Sequence, residues 1–315
     1  MLDAASKATF SVLAGSTALK ALASRYGMRH PHSFARRFVA GETMEEAIAV
    51  ARAIEQQGLM VTLDHLGEQV TAADSALSAT HCYIDIIKAA AEAGISRNVS
   101  VKLTQIGLDI DRATCIDNLR RILDVASQQN FFIRIDMESS AYTQQTFDTF
   151  DSVWGLGCRD VGVVIQSCLR RSAEDVRRVN AMGARVRLVK GAYREPKEVA
   201  FQQKEDVDRQ YIELMELLLT AGTYPAIATH DPVMIDATRH FAASRGLGRE
   251  AFEFQMLYGV RRDLQRTLAA EGFPFRVYVP FGKEWFPYFM RRLGERPANV
   301  SFVLKSLLRE QRSEE

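Results

Sequence analysis

The period of the hydrophobic pattern changes near residue 57. Before it, apolar positions recur at helical spacing. Ala-rich segments run to Tyr26, and a further helix opens at Thr43-Met-Glu-Glu, where Thr43 and Glu46 have the spacing of a capping box. Beyond it, short runs rich in Val, Ile and Phe alternate with longer helical stretches. The runs are Met60–Leu63, Val99–Leu103, Phe131–Asp136, Val161–Gln166, Arg185–Val189, Ala226–Thr229, Phe252–Leu257 and Phe275–Val279. Helical patterns between them include Ala73–Ala93, Ile116–Gln128, Ser172–Met182 and Tyr211–Ala221, with only a short one, Asp263–Glu271, before the last run. An amphipathic segment, Trp285–Arg296, follows. Strand and helix alternating in this way predict parallel pairing through crossovers. Eight such units close into an α/β barrel of the (β/α)8 type, with a doubly wound open sheet as the alternative that alternation alone leaves open. The expected organisation is an N-terminal helical segment over 1–57, a barrel domain over 58–304 and a polar tail over 305–315.

Composition narrows the function. The 315 residues are 47% hydrophobic and 25% charged, ordinary for a globular chain with one large core. A formal net charge of +1 provides no field for nucleic acid. Cys82, Cys115, Cys158 and Cys168 show no metal or disulfide spacing, which points to a reducing cytosol. With only six histidines, no metal site is expected. No apolar run approaches the ~20 residues of a membrane helix. The basic stretch from Arg25 to Arg37 reads first as a solvated surface and secondarily as a contact with a partner or the inner face of the cytoplasmic membrane.

The polar residues fall at one end of the strands. Lys102, Asp136, Gln166, Arg187, Lys190, Thr229, His230, Gln255 and Tyr278 lie in or just after successive predicted strands, toward the end where barrel enzymes carry their sites. Buried charge is costly unless paired, so these residues are expected to satisfy one another around a ligand. Strands three and five can share an interior layer, which places Asp136 beside Arg187. Arg291 and Arg292, on the last helix, are two guanidinium forks suited to a carboxylate or phosphate. Their simplest alternative is solvation, with Glu295 as the partner of Arg291 one turn on.

Eight strings carry a resemblance. They are VTLDHLGE (61–68), SVKLTQIG (100–107), RIDMES (134–139), VVIQ (163–166), RLVKGAY (187–193), ATHD (228–231), FEFQMLYGVR (252–261) and a final stretch from Tyr278 to Asn299. In this order the set resembles the proline dehydrogenase family, in particular its small monofunctional bacterial members. The resemblance implies a distorted (β/α)8 TIM barrel with N-terminal helices and a final helix over its mouth. It also implies FAD at the strand C-termini and oxidation of L-proline to 1-pyrroline-5-carboxylate by hydride transfer to flavin N5, with a quinone as electron acceptor. Arg187 and Asp136 match the family's catalytic positions. Lys102, Arg291 and Arg292 match groups that hold the substrate carboxylate, and Tyr193, Leu257 and Tyr278 match the wall around the proline ring. Met137, Gln166, Val189, Lys190, Gly191, Ala192, Thr229, His230, Gln255 and Glu295 match flavin-side positions, Arg187 among them. Asp231 stands where some relatives carry Asn. Gly246-Leu-Gly-Arg-Glu-Ala follows a helix and precedes a strand, the wrong order for a dinucleotide fingerprint, and is expected to be a turn. The rival chemistry is a class I aldolase with Lys190 or Lys102 as Schiff-base lysine, and the non-enzymatic rival is a barrel that binds without turnover.

Overall fold

The structure, a computed structural model, describes Met28 and residues 33–295. The Ala-rich N-terminal helices and the polar tail expected from the sequence fall outside these residues. The first helix, α1 (Met44–Glu55), starts at the expected capping box: Thr43 accepts from the Glu46 amide, and the Glu46 side chain accepts from the Thr43 amide. There follow β1 (Met60–His65), α2 (Ala73–Ala93), β2 (Asn98–Val101), α3 (Arg112–Gln128), β3 (Phe132–Ile135), α4 (Ser140–Gly155), β4 (Val161–Gln166) and α5 (Ser172–Ala181). The chain continues through β5 (Arg185–Val189), α6 (Lys204–Ala221), β6 (Ala226–Ala228), α7 (Pro232–Ser244), β7 (Glu253–Leu257), α8 (Arg262–Ala270), β8 (Phe275–Phe281) and α9 (Trp285–Glu295).

Each strand pairs in parallel with the next, and β8 returns to β1 over Met60–His65 and Arg276–Phe281, so the sheet is a closed barrel. The open-sheet alternative is thereby excluded. The strand runs are β-branched and bounded by turn residues, and they are too short to be helices. Their outward faces (Val61, Val99, Ile133, Val163, Leu188, Ile227, Phe254 and Val277) form one core with the helix ring. Among the described residues no helix is long and apolar enough to cross a membrane. Residues Gly246 to Ala251 form a left-handed turn at Gly246 and a short 3-10 helix at Arg249–Ala251.

Two features displace the regular plan. Helix α1, although it precedes the first strand, packs against both β1 and β8 and so fills the ring position after the last strand. Helix α9 is thereby released to lie over the C-terminal mouth. Its Trp285, Phe286 and Phe289 bury against Phe38, Val39 and Leu66 in a second apolar cluster, and Trp285 Nε1 donates to Glu42 at 2.9 Å. Full burial of one such Phe contributes about 1.5–3 kcal/mol, which holds this roof over the barrel.

Candidate active site

The barrel interior is ionic from floor to mouth, where barrels of this type ordinarily carry layers of aliphatic side chains. On the floor, Arg276 donates from Nε and Nη2 to the two oxygens of Glu253 at 2.8 and 2.9 Å. Beside them Arg134 donates to the carbonyls of Val163 (2.9 Å) and Arg185 (2.6 Å). Gly162 makes room for that guanidinium: a Cβ there would lie 2.7 Å from Arg134 Nη1 and 2.3 Å from the Arg185 carbonyl. Burial, with Arg187 nearby, drives the Arg134 pKa well below the usual arginine value.

Arg187 occupies the next layer. It is the third of the five residues of β5 rather than its end, and its side chain enters the interior, only 4% exposed. All three of its nitrogens are engaged: Nε donates to Gln255 Oε1 (2.7 Å), Nη1 to Asp136 Oδ1 (2.6 Å) and Nη2 to Ser100 Oγ (3.1 Å). Asp136, one residue past β3, therefore meets Arg187 as the strand geometry predicted. Its second oxygen accepts from the Tyr278 hydroxyl at 2.6 Å, and the Arg187 guanidinium lies 5.2 Å from the Tyr278 ring centroid. Burial, reinforced by Asp136, pushes the Tyr278 phenol well above its ordinary value, so it acts as a donor.

Lys102, one residue past β2, donates to Asp64 Oδ1 at 2.6 Å and lies 3.9 Å from Asp136. Burial opposes its charge, but Asp64 and Asp136 outweigh burial and raise its pKa. Two cations, Lys102 and Arg187, thus face two anions, Asp64 and Asp136, and this neutrality explains how four ionised groups persist inside a barrel.

The roof supplies Arg291, which donates to Glu68 at 2.9 Å with both side chains partly exposed. Tyr193 lies close enough to Arg291, Glu68, Glu138 and Lys102 to feel their charges, and burial pushes its phenol up to about 12. Arg292 is buried, its guanidinium 5.1 Å from the Tyr288 ring centroid. Glu295 ends α9, and its side chain is outside the described set. Arg291 and Arg292 therefore occupy distinct environments, and the ion-pair partner of Arg291 comes from the β1 exit.

The positions that the family resemblance assigned to the flavin side lie mainly at the exits of β3 to β6. Gln166 donates to the Glu138 carbonyl at 2.9 Å, beside buried Met137. Val189, Lys190 and Gly191 leave β5 half-buried, with Ala192 exposed. Lys190 is held by Asp208 (2.5 Å) and Asp231 (2.7 Å). Gly191 adopts φ +108°, and a Cβ there would lie 2.4 Å from Cys168 Sγ. Thr229 and His230 follow β6 rather than ending it: Thr229 accepts from the Asp231 amide, and His230 Nε2 accepts from the Leu257 amide. Leu257 closes β7, half-buried and in register with Tyr278.

Asp64, Glu68, Ser100, Glu138, Glu253 and Arg276 received no role in the sequence reading. Asp64 and Glu68 carry the same signal as Lys102 and Asp136, since they sit at the C-terminal end of a strand, within VTLDHLGE. Ser100 and Glu253 lie inside strands, where nothing in a linear sequence separates an interior polar residue from a surface one.

The model of the family described as proline dehydrogenase matches residues 47–305. Proline dehydrogenase 1 of Bacillus subtilis is 41% identical over 95% of this chain and 98% of its own length. Proline dehydrogenase of Deinococcus radiodurans is 42% identical over 88% of this chain and 91% of its own. Among solved structures, proline utilization A from Bdellovibrio bacteriovorus superposes with a TM-score of 0.78 at 26% identity over 82% of this chain, which spans 32% of that longer protein. A barrel with an ionic mouth under a terminal helix, matched at this identity along nearly its whole length, belongs to the proline dehydrogenase family.

Proposed function

We propose that this chain oxidises L-proline to 1-pyrroline-5-carboxylate with FAD at the mouth of the barrel. The observation that carries the reading is the single network Lys102–Asp136–Arg187–Tyr278, which runs inside the barrel from mid-strand to the residues just past β2 and β3.

The residues fit a flavin. Arg187 has five N–H donors, and three are committed to Gln255, Asp136 and Ser100, so two remain on the terminal nitrogens for an acceptor at the flavin edge. Gly191, in a conformation disfavoured for other residues, lets the backbone at the β5 exit approach a cofactor closely. Val189, Lys190, Ala192, Gln166, Met137, Thr229, His230, Gln255 and Glu295 are the remaining flavin-side residues. When bound, FAD supplies the acceptor for the hydride on the ring carbon next to nitrogen.

The protein's part is placement and charge. Arg291, Arg292 and Lys102 hold the substrate carboxylate, and Tyr193, Leu257 and Tyr278 wall the ring, fixing the donor carbon. Arg187 stabilises the negative charge that develops on reduction, and Asp136 aims it. The proline nitrogen must be neutral when the C–H bond breaks, because its lone pair drives the cleavage. Lys102 is no base for it, since Asp64 and Asp136 keep it protonated. The same protonation weighs against Lys102 as the Schiff-base lysine of an aldolase, which needs a neutral amine. Electrons leave to a quinone, with the protein in the cytosol and in peripheral contact with the membrane.

The test is the visible spectrum of the purified chain. A yellow protein that bleaches anaerobically with L-proline and recovers with a quinone is expected. A colourless protein that does not take up FAD, or a yellow one indifferent to proline, ends the reading. A lysine adduct trapped by borohydride would turn it toward the aldolase.

A further inference from the structure

Arg187 is held from below as well as from the side. Gln255 lies between it and the floor: Oε1 accepts from Arg187 Nε at 2.7 Å, and Nε2 donates to Glu253 Oε1 at 2.5 Å. A primary amide can be turned end for end with little change of shape, so its orientation is set by its partners alone. Only one orientation suits Arg187, because a guanidinium has no acceptor and an amide NH2 facing it would leave two donors opposed. Glu253 enforces that orientation. Its carboxylate accepts only, so the NH2 must point to the floor and the carbonyl to Arg187. Glu253 is itself 3% exposed. Burial favours its neutral form, but Arg276, with two charge-assisted bonds, keeps it ionised. Arg276 is anchored in turn on the Val61 carbonyl at 2.9 Å.

We propose that the Glu253–Arg276 pair on the barrel floor is a positioning device for Arg187, acting through the Gln255 amide. The chain Arg276–Glu253–Gln255–Arg187–Asp136 runs along the barrel axis and ties the direction of Arg187 to two residues that never reach the mouth. This rests on the reading of Arg187 as the group beside the flavin. It assigns to the floor a function beyond closing the barrel: removing the pair should disturb Arg187 while leaving the proline carboxylate site intact.

A buried ion pair can often be exchanged for apolar residues of similar volume without loss of the fold. The variant to make is therefore the double Glu253→Met/Arg276→Met, with Gln255→Met beside it as a variant that keeps the pair and removes the link. The first readout needs neither flavin nor turnover. In the full chain labelled with 15N-arginine, the Arg187 Nε–H, identified by its loss in Arg187→Lys, exchanges slowly with solvent while bonded to Gln255. Both variants should speed that exchange at least about tenfold. In the flavin-loaded protein both should lower kcat about tenfold, shift the flavin absorption band and leave the KM for proline within about twofold. Unchanged exchange in Gln255→Met overturns the proposal, as does faster exchange with unchanged kcat. A double variant that folds and matches the wild type in exchange and kcat shows that the pair merely balances charge, and this too overturns it. If the double variant does not fold, single Glu253→Gln takes its place and is judged by the same two measurements. Failure of the wild-type chain to bleach with proline would remove the catalytic reading but leave the exchange result standing by itself.

Discussion

Asp136 accepts a hydrogen bond from Arg187 on one carboxylate oxygen and from Tyr278 on the other, each at 2.6 Å. The carboxylate sets the direction of the guanidinium, and the tyrosine sets the direction of the carboxylate. Asp136→Asn keeps the shape but replaces one acceptor with a donor, which either opposes Arg187 or forces the Tyr278 hydroxyl to accept where it now donates. It should lower kcat by about a hundredfold and destabilise the fold by about 3–5 kcal/mol, because it leaves the Arg187 charge buried without its anion. Stopped-flow reduction of the flavin and urea unfolding measure the two effects. A variant that reduces at the wild-type rate would take Asp136 out of the reaction.

Lys102 separates anchoring from stability. Lys102→Met leaves Asp64 buried and unpaired, at a cost of about 3–5 kcal/mol. The double variant Lys102→Met/Asp64→Leu should recover most of that stability and none of the proline affinity. Recovery of both would show that Lys102 only neutralises Asp64.

Arg291 should behave in the opposite way. Its pair with Glu68 is partly exposed on both sides, and such pairs contribute only about 0–1 kcal/mol. Arg291→Met should therefore unfold almost like the wild type and keep its flavin, while the KM for proline rises strongly. An unchanged KM removes the carboxylate role.

Gly191→Ala carries two separable penalties, the backbone at φ +108° and the contact with Cys168 Sγ. The first costs about 1–3 kcal/mol. Retention of FAD on dilution should fall in Gly191→Ala and recover only in part in Gly191→Ala/Cys168→Ala, where the contact is gone but the torsion remains. Full recovery would locate the whole effect at Cys168.

The floor pair sets an acid limit on stability. Burial pushes the Glu253 carboxyl up, but Arg276 holds it below the ordinary carboxylate range. An unfolded glutamate titrates near ~4.3, so between that value and the lower folded one the unfolded chain binds the extra proton. The stabilisation is complete above about pH 5 and drains away as pH falls through the folded pKa. Urea midpoints from pH 7 down to 3 should fall less steeply in Glu253→Met/Arg276→Met than in the wild type. Parallel curves would place the acid sensitivity elsewhere.

The alternation of β-branched runs with amphipathic helices determined the parallel strands and their eight-fold repeat, because side-chain period and crossover length are local properties of the chain, whereas closure into a barrel rather than an open sheet was decided by the pairing of β8 with β1. Lys102 and Asp136 were legible as site candidates because a charge just past the end of an apolar strand is conspicuous wherever the strand lies. Ser100, Glu253 and Arg276 look no different in the sequence from surface residues of an alternating strand. Only closure of the barrel turns their side of the sheet inward, and only the stagger between β3, β5, β7 and β8 decides that Asp136, Arg187, Gln255 and Tyr278 share bonds. The placement of α1 in the ring was equally hidden, and that of α9 on the mouth was expected only from the family resemblance, since by pattern alone both read as helices. Which surface each covers depends on the space left by the other, a matter of packing among elements more than two hundred residues apart.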